Sequence, residues 1–159
     1  MTSVSPTPDI LESSSDEANA LGTNLSLLDA IEVVIDSLDT GNTALVSHGK
    51  PGHLWKFQYG SVEVFVQLTG SSGEDVLTVW AEVLRLPVKN EAALTRQLLE
   101  LNWATTFEAR FAIADGQVSV MTTRSVEDLS AAEISRAITI VAGIADEHDD
   151  RLLAEFPAA

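Results

Sequence analysis

The sequence predicts an α+β domain in which three helices accompany an antiparallel five-stranded sheet, in the order α-β-β-β-α-β-β-α. Three observations support this class. Apolar and polar residues alternate in several short runs, which is the period of strands. The turn signals Gly60-Ser61 and Asp115-Gly116 join neighbouring runs as hairpins. Elsewhere, apolar residues recur every three or four positions, which is typical of helices that bury one face.

The chain divides into a tail and one domain. Residues 1–22 are acidic and rich in Ser and Pro, and we expect them to be disordered because they offer little apolar surface to bury. Residues 23–159 are predicted to form a single domain, since a segment of this length usually folds around one core.

The first helix is predicted over residues 27–38, with Ser26 as its N-cap. Its apolar stripe contains Leu28, Ile31, Ile35 and Leu38. A second stripe is acidic and contains Asp29, Glu32, Asp36 and Asp39. Like charges at this spacing cost about 0.2–0.5 kcal/mol per pair. Either a solvated face tolerates that cost, or Asp29, Glu32 and Asp36 bind a basic partner.

Three strands are predicted next, over residues 53–59, 62–68 and 76–86. The turn at 60–61 fixes the first register, which pairs Tyr59 with Val62, Phe57 with Val64 and Trp55 with Val66. The apolar phase of the third strand then pairs Val66 with Val79, Val64 with Ala81 and Val62 with Val83. A slip of one residue would turn all these side chains to the other face, so the register is strongly specified.

The same register leaves two aromatic side chains on the opposite, mostly polar face. Lys56 lies beside Phe65, and Phe65 lies beside Trp80. One interpretation is an aromatic cross-strand pair that stabilises the sheet by about 0.2–1 kcal/mol, with Lys56 over a ring. The other is a surface patch that binds a partner. Lys56, Phe65 and Trp80 are therefore candidate partner-binding residues.

The second half of the chain predicts two more strands between two helices. In order, it contains a helix over 91–103, strands over 107–114 and 117–123, and a helix from 130 to about 156. Asn90 caps the first of these helices, and Ser130 forms a capping box with Glu133 at the start of the second. The apolar face of the strand over 107–114 contains Phe107, Ala109, Phe111 and Ile113.

The composition excludes several function classes. Twenty-four acidic residues against nine basic ones give a formal charge of −15, which disfavours binding to nucleic acids and anionic membranes. The chain contains no cysteine, so disulfides and thiolate chemistry are excluded. The first twenty residues lack the basic and apolar regions of a secretory signal. We therefore expect a cytoplasmic protein.

The sequence does not predict a catalytic site, a cofactor or a metal. His48 and His53 flank a loop that lacks the phosphate-binding pattern G-x-x-x-x-G-K-[ST]. The acidic run at residues 146–151 could attract a cation, but its spacing is not that of an EF-hand. No G-x-S-x-G segment is present to place a nucleophile beside a histidine. We therefore expect a protein that is not an enzyme.

Two segments resemble the YbjN domain family, which is also described as type III secretion chaperone-like. They are LLELNWATTFEARFAIADGQVSV, residues 98–120, and EISRAITIVAGIADEHDDRL, residues 133–152. With the order of elements, the resemblance covers about residues 24–156. It implies a secretion-chaperone-like fold, in which small acidic dimers hold extended segments of other proteins without ATP or catalysis. No site residue is carried over by it.

Two functional hypotheses follow. The first is a homodimeric, non-catalytic protein-binding module, a chaperone, adaptor or regulator, which presents Phe65, Trp80 and Lys56 to an apolar segment. The acidic first helix would select basic flanks of that segment. The alternative is a small regulatory domain that binds a small molecule or metal ion between the long last helix and the sheet.

Overall fold

The computed structural model of the chain describes residues 27–49 and 52–159. The predicted tail, residues 1–22, and the predicted cap Ser26 lie outside the described residues. The elements are α1 (27–38), β1 (Leu45–Gly49), β2 (Gly52–Tyr59), β3 (Val62–Leu68), β4 (Val76–Arg85), α2 (Glu91–Ala104), β5 (Arg110–Ala114), β6 (Gln117–Ser125) and α3 (Ala131–Glu155).

Within the described residues, six strands form one antiparallel sheet in the order β1-β2-β3-β4-β6-β5. The α+β class and three helices are confirmed, but the prediction of five strands in the order α-β-β-β-α-β-β-α is wrong. The missed strand is β1, an edge strand whose residues are all exposed and which pairs with β2 through Leu45↔Lys56 and His48↔His53. A short strand without a buried face lacks the alternation on which strand prediction depends.

The predicted register holds across β2, β3 and β4, except at one end. Tyr59↔Val62, Phe57↔Val64, Trp55↔Val66, Val66↔Val79 and Val64↔Ala81 all pair as predicted. The predicted pair Val62–Val83 is absent from the described ladder, which runs from Val64↔Ala81 to Leu68↔Leu77. A register shift between Glu82 and Leu84 in the pairing of β4 with β6 marks a bulge, and Val83 and Leu84 are both buried. The predicted register assumed that apolar and polar residues alternate along the whole of β4, and the bulge breaks this alternation.

The strand predicted over 107–114 is shorter than expected, because its first residues form a turn. β5 begins at Arg110, and Phe107 adopts a left-handed backbone conformation with φ 53°. The turn is closed by a hydrogen bond from the Ala109 N–H to the Thr106 carbonyl. The prediction placed Phe107 on the buried face with Ala109 and Phe111. Phe107 is instead exposed.

The core lies on the inner face of the sheet, under α1 and α3. α3 buries one stripe, consisting of Ile134, Ile138, Val141, Ala145 and Leu152, in the same cluster as Val64, Val66, Val79, Ala81, Val118 and Val120. α1 adds Leu27, Ile31 and Ile35 to this cluster. Each fully buried aliphatic side chain contributes about 1.5–3 kcal/mol relative to an exposed one, so this layer dominates stability.

Side-chain hydrogen bonds fix the ends of the helices. Asn90 accepts from the Ala93 N–H, and Ser130 and Glu133 form the predicted capping box.

Asn102 bridges α2 to the sheet edge: the Phe111 N–H donates to Asn102 Oδ1 at 2.7 Å, and Asn102 Nδ2 donates to the Phe111 carbonyl at 3.2 Å. These bonds satisfy the backbone of β5 on the side where no strand follows.

The Asn102 bridge predicts a measurable loss of stability. Asn102→Ala removes both hydrogen bonds from a partly buried site and should lower the free energy of unfolding by about 1–3 kcal/mol in urea titration. Thr95→Ala, at an exposed position of the same helix, should change it by no more than about 0.5 kcal/mol. Equal effects of the two substitutions would show that the bridge does not stabilise the edge.

Candidate functional site

A row of side chains crosses the outer face of the sheet, the face that lies opposite α1 and α3. In strand order it contains Leu45, Lys56, Phe65, Trp80, Met121 and Arg110. The predicted neighbours Lys56, Phe65 and Trp80 are thus adjacent. Phe65 and Trp80 stack with ring centroids 5.1 Å apart and an interplanar angle of 10°, and both are half-buried. Their strand neighbours Val64, Val66, Val79 and Ala81 face the core.

Lys56 is already engaged within the chain. Its Nζ lies 2.7 Å from Glu63 Oε1 and 5.7 Å from the centroid of the Phe65 ring. Both members of the ion pair are well exposed, so the pair contributes at most about 1 kcal/mol. Lys56 is therefore held beside the aromatic pair by Glu63 and by the Phe65 ring.

Sequence reasoning missed a groove beside Trp80. It has a volume of about 210 Å³ and is lined by Thr78, Trp80, Ala112, Ala114, Ser119 and Met121. The small side chains of Ala112, Ala114 and Ser119 form the depression next to the bulky Trp80 and Met121. No local pattern predicts which strand pairs with the other edge of β4, so the pair Trp80↔Met121 could not be placed. We call this site, together with Phe65, the outer groove.

The acidic helix lies on the other side of the sheet from the outer groove. Asp29, Glu32 and Asp36 are exposed on α1, whose Ile31 and Ile35 are buried in the inner-face core. Glu32 and Asp36 line a hollow between α1 and β1, but Asp29 is not among its lining residues. The predicted partner-binding residues therefore form two separate groups instead of one continuous site.

Asp39, the fourth acid of the predicted stripe, has a structural role. Its carboxylate accepts hydrogen bonds from the N–H groups of Gly41, Thr43 and Ala44 and from the Thr43 hydroxyl, at 2.6–3.1 Å. Burial acts to raise the pKa of Asp39, but the backbone hydrogen bonds from Gly41, Ala44 and Thr43 outweigh it and lower the pKa. The side chain holds the turn between α1 and β1.

The described histidines and acids are positioned by packing and caps. The rings of His48 and His53 meet edge to face at 4.8 Å on the paired strands β1 and β2. His148 of α3 is buried against Phe111, and burial lowers its pKa. Asp146, part of the acidic run considered for a cation, accepts hydrogen bonds from the Ser61 N–H and hydroxyl. Among residues 27–49 and 52–159, no group of three or more His, Asp or Glu side chains could hold a metal ion.

A second exposed apolar surface lies where α2 meets the edge strand β5. Its members are Leu99, Trp103, Phe107 and Ile113, which are 64, 93, 77 and 50% exposed. Leu99 and Ile113 also line a shallow hollow of about 190 Å³ with Asn102 and Phe111. We call these four residues the α2–β5 patch. They fall within the segment that carries the resemblance stated above.

A comparison with family profiles decides the relationship. The YbjN profile, described as "Putative bacterial sensory transduction regulator", matches residues 27–154. The chain belongs to the YbjN family. The resemblance inferred from residues 98–120 and 133–152 is thus confirmed. The profile spans α1 to α3 of this YbjN-family chain and ends one residue before the end of α3.

Solved structures show the same fold. A chain in the crystal structure of the ExsC–ExsE complex superposes with a TM-score of 0.58 at 17% sequence identity, and the alignment covers 80% of the YbjN-family chain and 93% of that chain. A search of curated proteins found no match. No helix in the described part of the chain is long and apolar enough to cross a membrane.

The role of Asp39 predicts a pH dependence of stability. Because the pKa of Asp39 is lower in the folded chain than in the unfolded one, its contribution is complete above the unfolded value of about 3.9 and is lost as pH falls through the folded value. Asp39→Ala should therefore lower the thermal midpoint at pH 7, and the difference from wild type should narrow below about pH 4. Asp29→Ala, which removes an exposed carboxylate from α1, is the control. A difference that stays constant between pH 7 and pH 3 would contradict this role.

Proposed function

We propose that this protein is a non-catalytic, cytoplasmic protein-binding module, a chaperone, adaptor or regulator, that acts as a homodimer. Its outer groove holds an extended apolar segment of a partner protein. The observation that carries this proposal is the stacked pair of Phe65 and Trp80 beside a groove formed with Met121. Large aromatic side chains next to a concave apolar surface are typical anchors of protein interfaces.

The shape of the groove favours a peptide segment. It is shallow and lies along the exposed face of a sheet, where side chains at alternate positions of an extended chain can reach it. Ala112 and Ala114 offer apolar contact area, whereas Thr78 and Ser119 add hydroxyl groups. Such a surface can bind many sequences that place one apolar side chain beside Trp80.

The family and the structural neighbour support a binding role. The YbjN profile is described in terms of regulation, and the neighbouring fold was crystallised as a complex of two proteins. The resemblance to secretion chaperones, stated above, implies the same kind of function.

The alternative of a ligand site between α3 and the sheet gains no support from the packing. The α3 side chains that face the sheet, Ile134, Ile138, Val141 and Ala145, are all fully buried. They fill the space that a ligand would need. A thermal-shift screen with metabolites and metal ions tests this alternative, because a bound ligand raises the unfolding midpoint.

The α2–β5 patch supports the homodimer. Two copies of a chain with a formal charge of −15 repel each other over most of their surface. Near the patch the charges cancel, because Arg96 pairs with Glu100 and Arg136 pairs with Glu108. A two-fold axis through Trp103 would bury the patch of both copies in one self-complementary interface.

The outer groove predicts the effect of removing its aromatic anchors. Phe65→Ala combined with Trp80→Ala should abolish capture of the partner in a pull-down from the native cell, because both anchors are lost. Loss of the stacking should lower the free energy of unfolding by about 0.5–1.5 kcal/mol, in addition to the effect of the apolar area that is no longer buried. Because both rings lie outside the core, the variant should still fold. Val33→Ala combined with Leu153→Ala, at exposed apolar positions away from the groove, is the control. Capture that survives the first double substitution would show that the aromatic pair only stabilises the sheet.

The patch predicts a change of oligomeric state. Trp103→Glu combined with Leu99→Glu places two like charges in each half of the interface and should convert the dimer to a monomer in sedimentation velocity. Leu153→Glu, at an exposed position of α3, should leave the dimer intact. A wild-type chain that sediments as a monomer, or a double variant that remains a dimer, would refute this location of the interface.

A further inference from the structure

A hollow between α1 and β1 combines carboxylates with an apolar floor. It has a volume of about 230 Å³ and is lined by Glu32, Ile35, Asp36, Ala44, Val46 and Trp55. Glu32 and Asp36 stand one helical turn apart on α1 and form the acidic wall. Ile35, Val46 and Trp55 supply the apolar surface. We call this site the α1–β1 cleft.

Trp55 is the unusual member of the cleft. Its side chain is 1% exposed, yet its indole N–H has no hydrogen-bond acceptor among the described residues. One face of the indole is covered by the His53 ring, with centroids 5.6 Å apart. A buried polar group without a partner costs about 1–3 kcal/mol, so an acceptor supplied by a bound segment would recover that free energy.

The two carboxylates of the cleft are also without partners in the described part of the chain. Asp39, only one turn further along, accepts hydrogen bonds from three backbone N–H groups. Glu32 and Asp36 have neither a hydrogen bond nor an ion pair to any residue in 27–49 or 52–159, although both line the cleft. No residue in these ranges neutralises their charge.

We propose that the α1–β1 cleft binds a lysine or arginine side chain of the partner segment, an inference that rests on the function proposed above. Long basic side chains combine an aliphatic stem with a terminal cation. The stem would pack on Ile35, Val46 and Trp55, and the cation would meet Glu32 and Asp36. A main-chain carbonyl of the same segment would accept the Trp55 N–H.

Other ligands fit the cleft less well. A divalent cation prefers a cage of several oxygen ligands, whereas here the two carboxylates face an apolar floor. A purely apolar side chain would bury the carboxylates without compensation, which is costly. A basic side chain satisfies both surfaces and complements the charge of −15.

The edge strand β1 borders the cleft, and the outer row leads from it across β2 to the outer groove on β3, β4, β6 and β5. Leu45 belongs to the outer row, whereas its neighbour Val46 lines the cleft on the inner side. Both side chains are exposed. A partner segment that crosses this edge can therefore reach the two sites with different residues, an apolar one for the groove and a basic one for the cleft.

The test selects ligands from a phage library of random twelve-residue peptides on the immobilised chain and compares the sequences that are enriched. The variants are Glu32→Gln plus Asp36→Asn for the cleft, and Phe65→Ala plus Trp80→Ala for the outer groove. The matched control, Asp29→Asn plus Glu74→Gln, removes the same charge at exposed positions outside the cleft. We expect wild type and control to enrich peptides that contain both apolar residues and a Lys or Arg.

The two proposals fail in different ways. If the cleft variant still enriches Lys and Arg as wild type does, or wild type enriches apolar peptides without them, the cleft inference is refuted and the outer groove stands. If wild type enriches no peptide, both the proposed function and the inference that rests on it are refuted. Loss of basic residues in the cleft variant alone, with apolar residues kept, supports the inference.

A second measurement locates the basic side chain. A lysine-containing peptide from the wild-type selection is titrated into ¹⁵N-labelled protein and followed by NMR. In the control peptide, called the twin, norleucine replaces the lysine and keeps an aliphatic stem without the charge. The Trp55 indole N–H signal is assigned by elimination with Trp80→Phe and Trp103→Phe. We expect the lysine peptide to shift this signal and to bind at least about tenfold more tightly than the twin, a difference of about 1.4 kcal/mol. Equal affinities, or an unshifted Trp55 signal, would overturn the inference.

Discussion

The packing of α3 against the inner face of the sheet is the constraint on which the other features depend. Ile134, Ile138, Val141 and Ala145 of α3 share one core cluster with the inward side chains of β3, β4 and β6. Strand side chains alternate between the two faces, so burial of Val64 and Val79 obliges Phe65 and Trp80 to face outward. The outer aromatic pair is thus a direct consequence of how the core closes.

The two faces of the sheet then acquire different chemistry. The inner face is covered by helices, and its margin at α1 is acidic because Glu32 and Asp36 project past the buried Ile35. The outer face carries aromatic and small side chains that form a groove. A partner segment with apolar and basic residues would complement both faces. It would pass from one face to the other at β1, the exposed edge strand.

Polar side chains with strong local hydrogen bonds serve the scaffold. Asp39 holds the turn after α1, Asp146 holds the β2–β3 turn through Ser61, and Asn102 satisfies the edge of β5. The formal charge of −15 makes copies of the chain repel each other over most of their surface, and the proposed dimer interface lies at the α2–β5 patch, beside the pair of Arg96 and Glu100.

The sequence by itself determined the α+β class, the hairpin turns, the caps of α2 and α3 and the register of β2 with β3, because alternation, turn residues and capping residues act over a few positions. It also placed Phe65 beside Trp80. It missed β1, which has no buried face, and it misplaced Phe107, whose turn depends on a left-handed backbone. Only the tertiary structure placed Met121 beside Trp80, and Glu32 in the same cleft as Trp55. These residues belong to strands and a helix that are far apart in the chain, and no local pattern specifies how such elements pack.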